Sequence, residues 1–130
     1  MRLYMTAFAA LTLQNNAAAN VTFNPQSIDS SGVATWFTSD SVFDAKKKVT
    51  MSVSTPKGNG TVSRIKQRIM VPIMDTVDTT KKIGEAYVNI EAVIPKATSD
   101  TIRLDLRKYA DTLLTNAVST AAFQNLEAIY

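Results

Sequence analysis

Lys48-Val49-Thr50-Met51-Ser52-Val53-Ser54 alternates polar and apolar side chains at every step, and a period of two marks a strand with one wet and one dry face. After Pro56, Gly58 and Gly60, which read as a turn, Arg64-Ile65-Lys66-Gln67-Arg68-Ile69-Met70-Val71 repeats the alternation less cleanly, with Arg64, Lys66 and Arg68 on its polar side. A third segment, Tyr87-Val88-Asn89-Ile90-Glu91-Ala92-Val93-Ile94, puts Tyr87, Asn89 and Glu91 on one side and Val88, Ile90, Ala92 and Ile94 on the other. Set side by side in an antiparallel sheet, the three give a polar face of cations, an aromatic ring, hydroxyls and amides, and an apolar face that needs cover. Such a polar face suits single-stranded or looped RNA.

Upstream, Ala7 to Leu13 and Val21-Thr22-Phe23 read as the two arms of a hairpin with Gln14 to Asn16 near its turn. The same N-terminus, with Arg2 before an apolar run and Ala17-Ala18-Ala19 after it, also imitates a short signal peptide. Asn24 to Ser31 reads as a loop around Pro25, Gly32 to Phe37 as a further strand with Trp36 as a packing residue, and Met74 to Lys82 as a mobile loop between strands. Beyond Pro95 the period changes. Ser99 or Asp100 is placed to cap a helix whose apolar positions Ile102, Leu106, Tyr109, Ala110 and Leu113 follow a three-to-four spacing. Asn116 would stop it, and a second helix fits Thr120 to Ala128, with Ala122, Phe123, Leu126 and Ile129 available for packing. Strands first and helices last is an α+β layout. Two short helices can scarcely cover a wide sheet alone, so a partner subunit supplying its own helices is expected.

Charge adds a second line of inference. From Ala45 to Met74 there are seven basic residues, Lys46, Lys47, Lys48, Lys57, Arg64, Lys66 and Arg68, and no Asp or Glu. The chain is +3 in total, so the remainder carries 3 − 7 = −4 and the basic zone stands out from a near-neutral body. Antiparallel sheets often leave a polar face in water with no ligand at all. Solvated faces normally mix both signs, however, and the missing acid points to a polyanion. With 130 residues one domain is expected. Cys and His are both absent, which removes disulfides, thiolate or imidazole metal sites and the commonest general base. Asp75 and Asp78 read as ordinary loop polarity, and no Gly-rich phosphate loop is present. Neither a catalytic residue, a metal ligand nor a cofactor is expected, and the apolar stretches are too short for a spanning helix.

Taken in order, Gly32-Val33-Ala34-Thr35-Trp36, Lys48 to Val53, Val71-Pro72, Tyr87 to Glu91, Ile94-Pro95 and Ala128-Ile129-Tyr130 resemble segments of the coat proteins of small single-stranded RNA bacteriophages of the levivirus type. The resemblance implies an N-terminal β-hairpin (residues 1–24), a five-stranded antiparallel sheet (32–95) and two C-terminal helices (98–130) in a single domain, interlocked with a second subunit as a homodimer. It also implies a capsid protein whose dimers build an icosahedral shell, with the sheet facing the packaged genomic RNA and the Met74 to Lys82 loop adjusting between quasi-equivalent contacts. A dimer would bind an RNA hairpin at the start of the replicase gene, repressing its translation. The protein would reside in the virion, and in the host bacterial cytoplasm during assembly.

Carried over by resemblance, the hairpin-binding residues are Val33, Lys48, Thr50, Ser52, Ser54, Arg64, Lys66, Arg68, Tyr87, Asn89 and Glu91. Tyr87 would stack on an unpaired base and Asn89 would meet the backbone or sugar. Lys48, Arg64 and Arg68 would meet phosphates, and Thr50 and Ser52 bases. Glu91 would orient a neighbouring Lys or Arg, or accept from a base. Better-known relatives place a small hydroxyl residue where Lys66 stands and often a cation where Ser54 stands, so charge is redistributed. Two alternatives stay open: a different preferred hairpin, or weak sequence selectivity. The loop also lacks the family's familiar proline, and Met5 as well as Met1 could be the natural start. A non-capsid RNA-binding protein or a secreted β-rich protein is the competing expectation.

Overall fold

The computed structural model describes residues 7–56 and 60–128, so the expectations that fell on Met1, Met5, Lys57, Gly58, Ile129 and Tyr130 lie outside the described residues. The strands are β1 (Leu11–Gln14), β2 (Asn20–Ile28), β3 (Ala34–Phe37), β4 (Lys48–Ser54), β5 (Val62–Met74) and β6 (Lys82–Pro95), followed by α1 (Asp100–Thr115) and α2 (Ala117–Asn125). Among the described residues these strands form one sheet in strict sequence order, β1-β2-β3-β4-β5-β6. The α+β class is as the sequence implied.

The strand count differs from the expected hairpin plus five, and the reason lies in β2. Its first half pairs with β1, Phe23 facing Leu11 and Val21 facing Leu13. Its second half pairs with β3, Asn24 facing Phe37 and Ile28 facing Ala34. Hairpin and main sheet are therefore continuous. The segment read as a loop around Pro25 is strand up to Ile28 because the register shifts between Pro25 and Ser27. Pro25 pairs with Trp36 and stands beside the skipped Gln26, and the margin of a bulge is where a sheet tolerates a proline. The loop proper is a tight turn. Asp29 Oδ1 accepts from the backbone N–H groups of Ser31 and Val33 at 2.8 and 3.0 Å, and Gly32 takes φ +82°, a conformation costly for any residue with a Cβ.

The core gathers at the hairpin end. Phe23, Trp36 and Val49 are buried, and Phe8, Leu11, Leu13, Val21, Ala34, Met51 and Ile69 pack around them. Ala7 to Ala10, expected as the start of the first strand, are not strand; β1 begins at Leu11. This segment instead serves Trp36: Phe8 meets the indole edge-on at 5.1 Å, and the indole N–H donates to the Ala9 carbonyl at 2.8 Å. A buried indole needs that acceptor, and each large apolar side chain enclosed here contributes roughly 1.5–3 kcal/mol.

The chain from Ile94 onward forms a second compact unit. Of the two expected caps, Ser99 is the one used, its hydroxyl accepting from Ile102 N–H at 3.4 Å, while Asp100 opens the helix. Asn116 ends α1 and also caps α2, its Oδ1 accepting from Val118 N–H at 3.0 Å. That second cap starts α2 at Ala117, three residues before the expected Thr120. It ends at Asn125, where Leu126 turns left-handed at φ 57°. No residue of either helix is buried, and Leu104, Leu106, Tyr109, Leu113 and Phe123 are all exposed. No helix among the described residues is long and apolar enough to cross a membrane.

Candidate nucleic-acid interface

In an antiparallel ladder, directly opposed residues point to the same face. Across β4 and β5 the pairs are Thr50–Arg68, Ser52–Lys66 and Ser54–Arg64, with Lys48 opposite Met70. The alternation in the two strands is thus in phase, and every hydroxyl of β4 stands beside a cation of β5. Their neighbours Val49, Val53, Ile65 and Ile69 occupy the other face. Across β5 and β6, Arg64 Nη1 meets Glu91 Oε1 at 2.9 Å, and the Arg68 guanidinium lies 4.1 Å from the centroid of the Tyr87 ring. A step of four on each strand separates these contacts, and Lys66 lies in the same groove as Asn89. β3 joins through Thr35–Thr50 and Phe37–Lys48.

The side chains picked out from the sequence are accordingly brought onto one face. Val33, Thr50, Ser52, Lys66, Arg68, Asn89 and Glu91 line one open groove of about 390 Å3. Tyr87 is exposed beneath Arg68, which covers one face of its ring. Lys48 lines a second, adjacent groove together with Thr50 and Arg68. Ser54 faces Arg64 in register but lines neither groove. Glu91 holds the Arg64 guanidinium, an arrangement that fixes direction more than stability, because both side chains are about half exposed (51% and 48%). One partnered carboxylate leaves the face basic.

The second groove contains residues outside the set assigned to RNA from the sequence, although Lys46 belongs to the basic zone. Phe37, Phe43, Asp44, Lys46, Met70, Lys82 and Glu85 complete its lining. Phe43 and Asp44 belong to a short turn of 3-10 helix in the β3–β4 connection, where no periodicity exists to reveal a face. Lys82 donates to Glu85 Oε1 at 2.7 Å; this hydrogen bond, and then the lysine's charge, hold the Glu85 carboxyl below the usual range. The cations remain in excess.

The loop from residue 75 to 81 is closed by Asp75 N–H donating to the Lys81 carbonyl at 2.8 Å. Asp75 and Asp78, expected to supply polarity only, each accept a backbone N–H two residues on. The Thr80 hydroxyl also donates to Asp78, and this contact first, with the Thr80 N–H second, lowers the Asp78 pKa. Among the described residues no group of three or more carboxylates is placed to hold a metal ion.

Compared with known proteins, the chain matches the family model described as levivirus coat protein over residues 6–130. No curated protein sequence matches it significantly. Among solved structures it is similar to the virus-like particle protein of Beihai levi-like virus 21, at TM-score 0.89 and 22% identity over 96% of this chain and 99% of that one. It is similar to the capsid protein of bacteriophage GA at TM-score 0.69 and 21% identity, covering 95% and 98%. An unassembled virus coat protein dimer, described as a bacteriophage RNA-binding dimer, is similar at TM-score 0.67 and 22% identity, covering 95% and 98%. At these identities the structural likeness speaks for the fold, whereas the family match spans nearly the whole sequence.

Proposed function

The chain belongs to the levivirus coat protein family, and from that premise we propose that it pairs as a homodimer, that dimers close into an icosahedral shell around the phage's single-stranded genomic RNA, and that the dimer binds an RNA hairpin and so represses replicase translation. It is a capsid protein, with a structural and not an enzymatic role. The RNA partner, the hairpin and the residues that touch it are the parts this proposal adds.

One observation carries the RNA reading: Lys66, Arg68, Tyr87 and Asn89 meet Thr50 and Ser52 on one open face of the sheet, with a single paired carboxylate among them. Cations at this density attract phosphates by releasing counterions. In the proposal Arg68, already lying against Tyr87, presents a positive charge to the phosphate flanking whatever base stacks on the ring's free face. Lys48 extends the phosphate track, Thr50 and Ser52 read base edges, and Asn89 bonds sugar or backbone. Arg64, turned toward Glu91, meets RNA at the margin, beside Ser54. Val33, held by the Asp29 turn, forms the groove's apolar wall.

Pairing has separate support. α1 carries Leu106, Tyr109 and Leu113 in the open, and a row of exposed apolar groups on a helix marks a surface meant for protein. In a symmetric dimer the same helices meet across a two-fold axis and cover one another's apolar side chains. The shell would be the virion, assembled in the host bacterial cytoplasm.

The test is negative-stain microscopy of the purified protein with absorbance at 260 and 280 nm taken on the same fraction. Closed, uniform particles with nucleic-acid absorbance are expected. Soluble protein that neither closes into particles nor takes up added RNA would remove both the assembly and the packaging claims.

A further inference from the structure

We propose that the groove between Phe37 and Phe43 is a second nucleotide site, where an unpaired base of the bound RNA stacks on Phe43 while Lys46 and Lys48 hold its flanking phosphate. The inference rests on the RNA reading of the neighbouring groove and extends it.

Three observations support the site. First, Phe43 is 69% exposed, a large price in water for an aromatic ring unless something covers it. Phe37 backs it at 5.8 Å between centroids, with the rings tilted by 53°. Second, the backbone connection that carries the ring is braced. The connection carrying it is pinned at its base by Thr38, which is buried. Thr38 N–H donates to the Lys47 carbonyl at 3.0 Å, and its hydroxyl accepts from Lys47 N–H at 2.9 Å while donating to Asp40 at 2.5 Å. A braced connection has less freedom left to lose when a base lands on the ring it carries.

Third, charge and continuity select the occupant. Lys46 and Lys48 line the groove, and its volume of about 350 Å3 lies in the range of small-ligand sites. Arg68 and Thr50 line both this groove and the one containing Asn89. A strand whose base rests on Tyr87 therefore passes Arg68 directly into the second groove. Base–aromatic stacking beside a cationic track is the usual means of holding single-stranded nucleic acid. Asp44 and Glu85 also line the site. Glu85 is neutralised by Lys82, and either carboxylate can accept from the exocyclic amine of a base, as carboxylates do from cytosine.

The experiment uses RNA-free protein and fluorescein-labelled oligoadenylates of about four and about ten nucleotides, with anisotropy read over a series of salt concentrations. The longer probe should bind the unaltered protein more tightly, and Phe43→Ala should weaken its binding about tenfold while leaving the shorter probe's affinity in place. The salt slope should be unchanged in Phe43→Ala, since no phosphate contact is lost, and flattened by about one phosphate in Lys46→Gln. Phe43→Trp should restore tight binding of the longer probe, whereas Phe43→Leu, apolar but without a ring, should not. If Tyr87→Ala weakens both probes and Phe43→Ala neither, this site is wrong and the RNA face stands. If neither substitution matters, both are wrong. Loss of particles in Phe43→Ala with unaltered oligonucleotide binding would assign the groove to a neighbouring subunit and overturn the proposal.

Discussion

The two ends of this chain treat apolar surface in opposite ways. At the hairpin end Trp36 is only 6% exposed because Phe8 and the Ala9 carbonyl, contributed by the same chain, enclose its ring and satisfy its N–H. In the helical unit Leu113 is 66% exposed and Phe123 61%, although both helices are capped at their N-termini. Local helix chemistry is thus complete where burial is not. One end is finished within the protomer, and the other is regular but bare, as expected of a surface reserved for a second copy.

The contrast can be broken most forcefully at Trp36. Trp36→Ala should cost about 3–5 kcal/mol by opening a cavity in a core built within one chain, and urea unfolding should show the loss at every protein concentration. A loss below about 1 kcal/mol would mean that this end is not closed by its own residues. Leu106→Asp probes the opposite end. It should leave the sheet's circular dichroism intact but weaken pairing by roughly 2–4 kcal/mol, the order of burying an unpartnered polar group. Sedimentation should then show monomers and microscopy no particles; particles of ordinary size would refute the pairing surface.

Tyr87→Ala sharpens the comparison by touching neither end. Hairpin affinity should fall by roughly 1–3 kcal/mol while particles still form, and unaltered affinity would take Tyr87 out of the interface. The smallest effect concerns Lys82. Its hydrogen bond and charge lower the Glu85 pKa. A carboxyl whose folded pKa is depressed contributes stability above its unfolded pKa, and that contribution disappears as the pH falls through the folded value. Lys82→Ala should therefore move the Glu85 titration, followed by carboxyl NMR, up toward the ordinary range. The small acid-linked loss of stability that Glu85 contributes should shrink in the variant. A Glu85 titration that stays put would exclude the lysine as the cause.

Much of this was legible because alternation in β4 is nearly perfect and its polar phase coincides with the cations of β5. Once strands of such clear parity are neighbours, Ser52 must stand beside Lys66 and Thr50 beside Arg68 in this register. Trp36 as packing, Ser99 as a cap and Asn116 as a stop were legible from side-chain chemistry alone. Pro25 misled, since a proline argues against a strand unless a bulge receives it, and the bulge is a property of the pairing with β3. α2 began early because Asn116 caps as well as stops, a double use that spacing does not display. Phe43 was invisible as a site residue: its significance comes from Phe37 and Lys48, brought beside it by the fold.

The strict order of the sheet has a consequence for synthesis. Each strand pairs with the one made just before it, and the Trp36–Ala9 contact closes a separation of 27 residues. Short separations favour rapid folding, and domains can begin to form while the rest of the chain is still emerging from the ribosome. β1 to β5 can zip in the order they appear, with no strand waiting for a distant partner. The bare helices come last. A nascent chain would therefore carry an ordered basic face before its bare helices emerge, so that folding of the sheet precedes any pairing through those helices by the direction of translation alone.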